Sequence, residues 1–288
     1  MIIRSEGERF AWTLVAPTAA MMLAILGLPL MFSLFVSFHD WDLTRIPNRL
    51  EWAGLQNYVE LVAGIETWRA LQFTLIYTVA CVGGEFVLGL VLALLLHHAP
   101  VGRQMFTAIL VLPMMMTPIV SGLVWRLMYN PTYGVINQSL GLGNVLWLGE
   151  VDSAVLAVII ATIWQNTGFV MILLLAGLQS LSKEPFEAAR IDGASAWQSF
   201  RYVMLPLLAP TILVVLLIRT IFEFRAFDVI WILTQGGPAG ATEALSLLNF
   251  RMGFRYFAIG PAAALSWIML AATAVLSVGY IRALGRAR

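Results

Sequence analysis

Charge is what this chain has least of: 11% of its 288 residues are Asp, Glu, Lys or Arg, against 60% hydrophobic residues. Too little polar surface remains to cover a soluble globule, so a membrane protein is expected. The one lysine, Lys183, stands between Ser182 and Glu184, which excludes a phosphate-cradling loop ending in Gly-Lys-Ser/Thr. Any ATP used must be hydrolysed by another subunit. A net charge of +1 with no basic block offers nothing to neutralise a phosphate backbone, so no nucleic-acid partner is expected. Cys81 is alone within an apolar run, and disulfide or paired-thiol chemistry is excluded. The histidines are His39, His97 and His98; the neighbouring pair cannot easily face one metal, and no metal site is expected. No Ser, His and Asp arrangement at membrane depth points to nucleophilic catalysis, so the chain is not expected to be an enzyme.

Long apolar runs are what it has in abundance. With about 20 apolar residues needed per helical crossing, six spans are predicted: Phe10 to Phe38, Ala70 to Leu96, Met105 to Met128, Ser153 to Gln179, Thr211 to Leu233 and Phe257 to Ile281. The expected fold is all-α, a polytopic membrane protein with six transmembrane helices in a single domain over 1–288. Pro17, Pro29, Pro113 and Pro118 are expected as kinks within spans. The first span is too long for a cleaved signal peptide and reads as a retained signal anchor.

An even span count puts both termini on one side, and the Arg and Lys bias puts that side in the cytoplasm. Nine basic residues then lie inside (Arg4, Arg9, Arg103, Lys183, Arg190, Arg201, Arg282, Arg286, Arg288) and six outside (Arg45, Arg49, Arg69, Arg126, Arg251, Arg255). Trp41, Trp52, Trp68 and Trp147 fall near the outer ends, as an interfacial aromatic belt requires.

Between the fourth and fifth spans lies a polar segment, Glu187 to Pro206, reading EAARIDGASAWQSFRYVMLP. Glu187 to Ile191 suits a short helix, and Gly193 supplies a turn that most side chains resist. Ser195 with Gln198 forms a capping-box pattern for a second helix. Pro206 and Pro210 are then expected to interrupt the chain before the next span. Small Ala188 and Ala189 permit close approach of a partner surface, and Glu187 offers it a charge.

This spacing resembles the EAA loop of ABC importer permeases, with Val203 where that family usually has Ile. Three further blocks resemble the carbohydrate-uptake, maltose-type branch of the family: Trp164 to Leu178 with the LQSLSKEPFEAARIDGAS run, FRAFDVIWILTQGGPAGATEAL from Phe224 to Leu245, and NPTYGVIN from Asn130 to Asn137. The resemblance implies an ABC importer permease fold with cytoplasmic coupling helices, the coupling loop lying at about 182–206. Glu187, Ala188, Ala189, Asp192, Gly193, Leu205 and Pro206 would couple it to the ATPase. It implies a heterodimer with a second homologous permease subunit, two copies of an ATP-binding subunit that uses ATP and Mg, an extracytoplasmic solute-binding protein, and lipid around the spans of a bacterial or archaeal plasma membrane. This chain itself would bind no cofactor.

Polar residues inside apolar spans face protein or a cavity because each is costly near the bilayer centre. Arg219 and Glu223 are four apart on one helix face, expected near the middle of the fifth span, with Phe222 and Ala226 extending that face. Guanidinium, carboxylate and ring suit a sugar; the pair equally suits mutual neutralisation. Arg225 and Asp228 suit interfacial pairing. Asn166 and Phe169, with Trp164 and Gln165 beside them, join the substrate-path set, whereas Glu85 is read as a helix-to-helix hydrogen-bonding residue. The function expected is a permease forming half of a sugar or oligosaccharide path. The alternatives are an importer of glycerol phosphate or another anionic or polyol solute, motivated by Arg219 at depth, and an ion-driven secondary carrier, against which stands the lack of inverted-repeat similarity.

Overall fold

The computed structural model describes residues 6–47, 49–98, 101–141 and 143–286. Arg4, Arg288 and the two termini lie outside them. Among the described residues five helices are long and apolar enough to cross a membrane: Trp12–Ser37, Ile65–His98, Val151–Ser180, Ala196–Phe224 and Ile259–Gly285. A bent pair, Arg103–Met115 and Pro118–Met128, is apolar enough to count with them when its two halves are taken together. The all-α, multi-pass expectation holds, with one addition: a two-residue hairpin pairs His39 with Trp52 and Asp40 with Glu51.

The third span is not the single kinked helix expected from Met105 to Met128, because its halves meet at 94°. Pro113 is accommodated inside the first half. Pro118 is not a kink: it opens the second half, and Thr117 before it is extended (φ −64°, ψ 145°). A residue preceding proline is biased to that conformation, and proline suits the first turn of a helix, where its missing N–H has no partner to lose.

The fifth span also departs from expectation, beginning at Ala196 rather than Thr211 and ending at Phe224 rather than Leu233. Pro206 and Pro210 do not interrupt it. A proline ring clashes with the carbonyl four residues back in a regular α-helix. Here Tyr202, four before Pro206, lies in a π turn, Phe200–Met204, and Leu205 N–H donates to Phe200 O, five residues back. The first span repeats the device, with a π turn at Leu23–Gly27 ahead of Pro29. After Phe224 the chain breaks through Arg225 to Phe227 and resumes as a short helix, Asp228–Leu233.

By compactness the chain divides into two units. The first comprises residues 1–64 and 249–270. In it Asn57 Nδ2 donates to the carbonyls of Ser37 and His39, both at 2.9 Å, and Ile259 N–H donates to Trp41 O at 2.8 Å. The second, 65–248 with 271–288, holds two buried apolar clusters. One gathers Phe73, Tyr77, Cys81, Trp125, Ala157 and Ile230; the other gathers Ala93, Leu96, Met171, Leu174, Leu208 and Val215. The second and fourth spans meet closely at Gly89, where a Cβ would lie 2.7 Å from Val170 Cγ1, the small-residue contact through which membrane helices associate. Between the two clusters, along these spans and the fifth, fall the polar residues.

Candidate functional site

Phe73, Tyr77, Cys81 and Glu85 recur every four residues along the second span, form one helix face, and are all buried. Glu85 is fully inaccessible. Arg219 of the fifth span reaches it with a two-pronged contact, Nε to Oε2 at 2.7 Å and Nη2 to Oε1 at 3.0 Å. The same Nη2 donates to Glu223 one turn further on. Phe169 of the fourth span lays its ring 5.9 Å from the guanidinium carbon. The expected Arg219 and Glu223 pair is therefore present, but as part of a triad tying two spans together, and it lies at the end of the fifth span instead of its middle. Glu85 makes the helix-to-helix bond expected of it.

Beside the triad is a cavity of about 350 Å³. Its lining comes from four places: Tyr77 on the second span, Thr162, Gln165 and Asn166 on the fourth, Pro118 at the break of the third, and Arg219 to Val229 across the break of the fifth, with Phe224 and Thr220 excepted. Both broken helices thus have their breaks at one cavity. Irregular backbone at membrane depth is tolerated where it is buried in protein or lines a cavity, because the freed peptide groups need partners. Partners are present. Gln165 Nε2 donates to Met116 O at 3.2 Å, and Ser246 Oγ donates to Ala226 O. Tyr77 and Thr162 hydroxyls bond across the cavity wall at 2.9 Å, and Asn166 Nδ2 turns back to Thr162 O at 3.1 Å.

Of the residues expected on a substrate path, Asn166, Arg219, Phe222, Glu223 and Ala226 line this cavity. Phe169 does not; it packs on Arg219 and on the second apolar cluster. Arg225 and Asp228, expected in inter-subunit or interfacial pairing, are exposed and line the cavity. Tyr77, Thr162, Phe227 and Pro118 were not expected there; the four-residue stripe through Tyr77 and Glu85 is the sequence signal that points to the first. Thr234 to Pro238, the TQGGP block, lines no part of it. That block is a fixed turn, with the buried Thr242 hydroxyl 2.7 Å from both Thr234 Oγ1 and Gly237 O.

The cavity can offer a polyhydroxylated solute an amide at Asn166, charges of both signs at Arg225 and Asp228, and the rings of Phe222 and Phe227. Phe227 is held by a stack on Trp231, 5.8 Å between centroids and 12° from parallel.

The polar segment after the fourth span takes the form its sequence requires. Glu184–Ile191 is a helix, carrying Glu187, Ala188 and Ala189. Asp192 caps it, and Gly193 turns the chain at φ +76°. Ser195 caps the next helix in a reciprocal capping box, Gln198 N–H to Ser195 Oγ at 3.3 Å and Ser195 N–H to Gln198 Oε1 at 2.8 Å. Ile191, Trp197 and Tyr202 are 86%, 69% and 72% exposed, an apolar display out of keeping with a solvated connector. Leu205 and Pro206 lie inside the fifth span, so one continuous helix of 29 residues joins this segment to Arg219 and Glu223.

A family model described as "Binding-protein-dependent transport system inner membrane component" matches residues 85–284. The chain is 40% identical over 268 residues, 92% of itself and 86% of the relative, to a probable ABC transporter permease protein of Sinorhizobium fredii. It is 38% identical over 261 residues, 90% and 86% of the two chains, to the trehalose/maltose transport system permease protein of Thermococcus litoralis. A crystal structure of a bacterial ABC transporter involved in the import of the acidic polysaccharide alginate superposes with a TM-score of 0.83 over 98% of this chain and 96% of that one, at 24% identity.

Proposed function

This chain belongs to the family of binding-protein-dependent transport system inner membrane components, and from that premise we propose that it is the permease subunit of an ATP-driven importer of a sugar or oligosaccharide. It provides half of the translocation path and no catalytic site. A second, homologous permease subunit completes the path, two copies of an ATP-binding subunit supply the energy with ATP and Mg, and an extracytoplasmic binding protein delivers the solute. Both termini and the Glu184–Met204 segment face the cytoplasm.

The observation that carries this reading is the unbroken helix Ala196–Phe224. At 1.5 Å per residue it is about 42 Å long, with an exposed docking segment at one end and the cavity at the other. Closure of the ATPase dimer against Glu187, Ala188 and Ala189 would tilt the rod as one body and move Arg219 to Ala226 relative to the fourth span, a rigid-body route to alternating access. The contacts available to solute are few, which suits release. The polarity of the cavity supports a neutral, hydroxyl-rich solute. Arg219, which alone motivated an anionic one, has its charge met by two carboxylates, and the charges left at the cavity, Arg225 and Asp228, are one of each sign.

Reconstitution of the complex in proteoliposomes, with its binding protein outside and ATP inside, tests the proposal. ATP-dependent accumulation of labelled trehalose or a maltodextrin is expected, and glycerol phosphate should not compete. Accumulation driven by an ion gradient without ATP, or preference for glycerol phosphate, would overturn it.

A further inference from the structure

A second cavity, about 740 Å³, lies between the polar segment and the ends of the spans. It is framed where the second span ends at His98, the fourth ends at Ser180 and the fifth begins at Ala196, which places it at the level of lipid headgroups instead of acyl chains. Its floor is apolar, with Leu94, Phe200 and Met204. Its rim carries Lys183, Arg190, His97 and His98 against a single carboxylate, Glu187. Neither Lys183 nor Arg190 has a carboxylate within 4 Å among the described residues, so both ammonium and guanidinium remain available. Arg103 stands at a neighbouring groove that shares Gln179 with the cavity.

The cavity also has an apolar exit. A groove of about 440 Å³ formed by Val91, Leu94, Leu95 and His98 shares Leu94 and His98 with it, and Leu95 is 63% exposed on the outer face of the second span. A basic chamber at headgroup depth, opening into an apolar groove along a membrane-facing helix, matches one ligand chemistry: an anionic phosphoryl group joined to a hydrocarbon chain. The strongly exposed Ile191, Trp197 and Tyr202 are absent from the lining, and of the residues assigned to ATPase coupling only Glu187 is shared with it.

We propose that this cavity binds an anionic phospholipid, its phosphoryl headgroup held by Lys183 and Arg190 and one acyl chain laid along Val91 and Leu95. The lipid bridges the polar segment and the second span, so the segment's position responds to the charge of the surrounding leaflet. The proposal needs only the membrane placement of the spans and is independent of which solute is carried.

The test uses the purified complex with its ATPase and second permease, delipidated in detergent and titrated with phosphatidylglycerol, phosphatidylcholine or glycerol phosphate under native mass spectrometry. Wild type should retain phosphatidylglycerol in preference to phosphatidylcholine. A basic residue near an anionic surface is worth about a factor of five in affinity, so Lys183→Gln with Arg190→Gln should weaken phosphatidylglycerol roughly 30-fold. Arg201→Gln, outside the lining, should leave it unchanged. Leu94→Trp, which fills the shared wall and keeps every charge, should also weaken it. Equal retention by wild type and the Lys183/Arg190 variant, equal retention of the two lipids, or no retained lipid would overturn the proposal. Complete displacement by glycerol phosphate at matched concentration would overturn it too, by marking a site for a soluble phosphate ester.

Discussion

The triad makes an asymmetric prediction. Two buried carboxylates, Glu85 and Glu223, share one guanidinium, so removing the cation and removing an anion are not equivalent. Arg219→Leu strands two carboxylates and forfeits all three hydrogen bonds. Breaking a buried pair from one side costs about 3–5 kcal/mol, and with two charges uncompensated the upper end is expected, about 5 kcal/mol. Glu85→Gln leaves a neutral Arg219 and Glu223 pair on the same helix and loses charge assistance in two bonds, so about 1.5–3 kcal/mol is expected. Adding both Glu85→Gln and Glu223→Gln to Arg219→Leu removes the stranded charges and should recover most of the loss, as coupled sites do. The assay is unfolding of the purified subunit in mixed micelles on an SDS titration, with each variant compared at matched lipid. The reasoning fails if Arg219→Leu costs no more than Glu85→Gln, or if the triple variant is as unstable as Arg219→Leu.

Three other outcomes follow from the same geometry. Glu187→Lys should leave insertion intact but abolish solute-stimulated ATPase in the assembled complex; Gly193→Val should act similarly, since at φ +76° an L side chain costs about 1–2 kcal/mol although nothing within 4 Å would obstruct it, and wild-type stimulation in both would remove the docking claim. A cysteine at Ser195 should label only with reagents that reach the cytoplasm and one at the exposed Ala239 only from outside, with native Cys81 protected by burial; labelling of position 195 from outside sealed cells would invert the topology. Gln165→Leu should cost about 1 kcal/mol through the lost bond to Met116 O and raise hydrogen exchange at 114–117 selectively, so unchanged exchange there would show that the break is held by other means.

What could be read from sequence, and what could not, separates along one physical line. The short helix, glycine turn and capping box of the polar segment depend on residues within a few positions of each other, and Gly193, Ser195 and Gln198 took the conformations their chemistry favours. The helix-to-helix bond of Glu85 was legible because a buried carboxylate must find a partner, although its partner, 134 positions away, was not. The prolines were not legible locally. Pro118 and Pro206 present the same ring and the same missing N–H, yet one opens a new helix after a 94° bend and the other rides within a continuous one.

What separates the two prolines lies elsewhere in the chain. At membrane depth a helix breaks only where another group meets the peptide carbonyls that the break releases. Gln165, 49 positions from Met116, does so for the third span; Ser246, 20 positions from Ala226, does so for the fifth. At Pro206 the relief is internal, a π turn that draws Leu205 N–H back to Phe200 O, and the helix continues. The same rule explains why the cavity forms where it does. Each break takes a polar side chain from a neighbouring element, and one of these, Gln165, lines the cavity together with Arg219 and Glu223 on the stretch between the two apolar clusters.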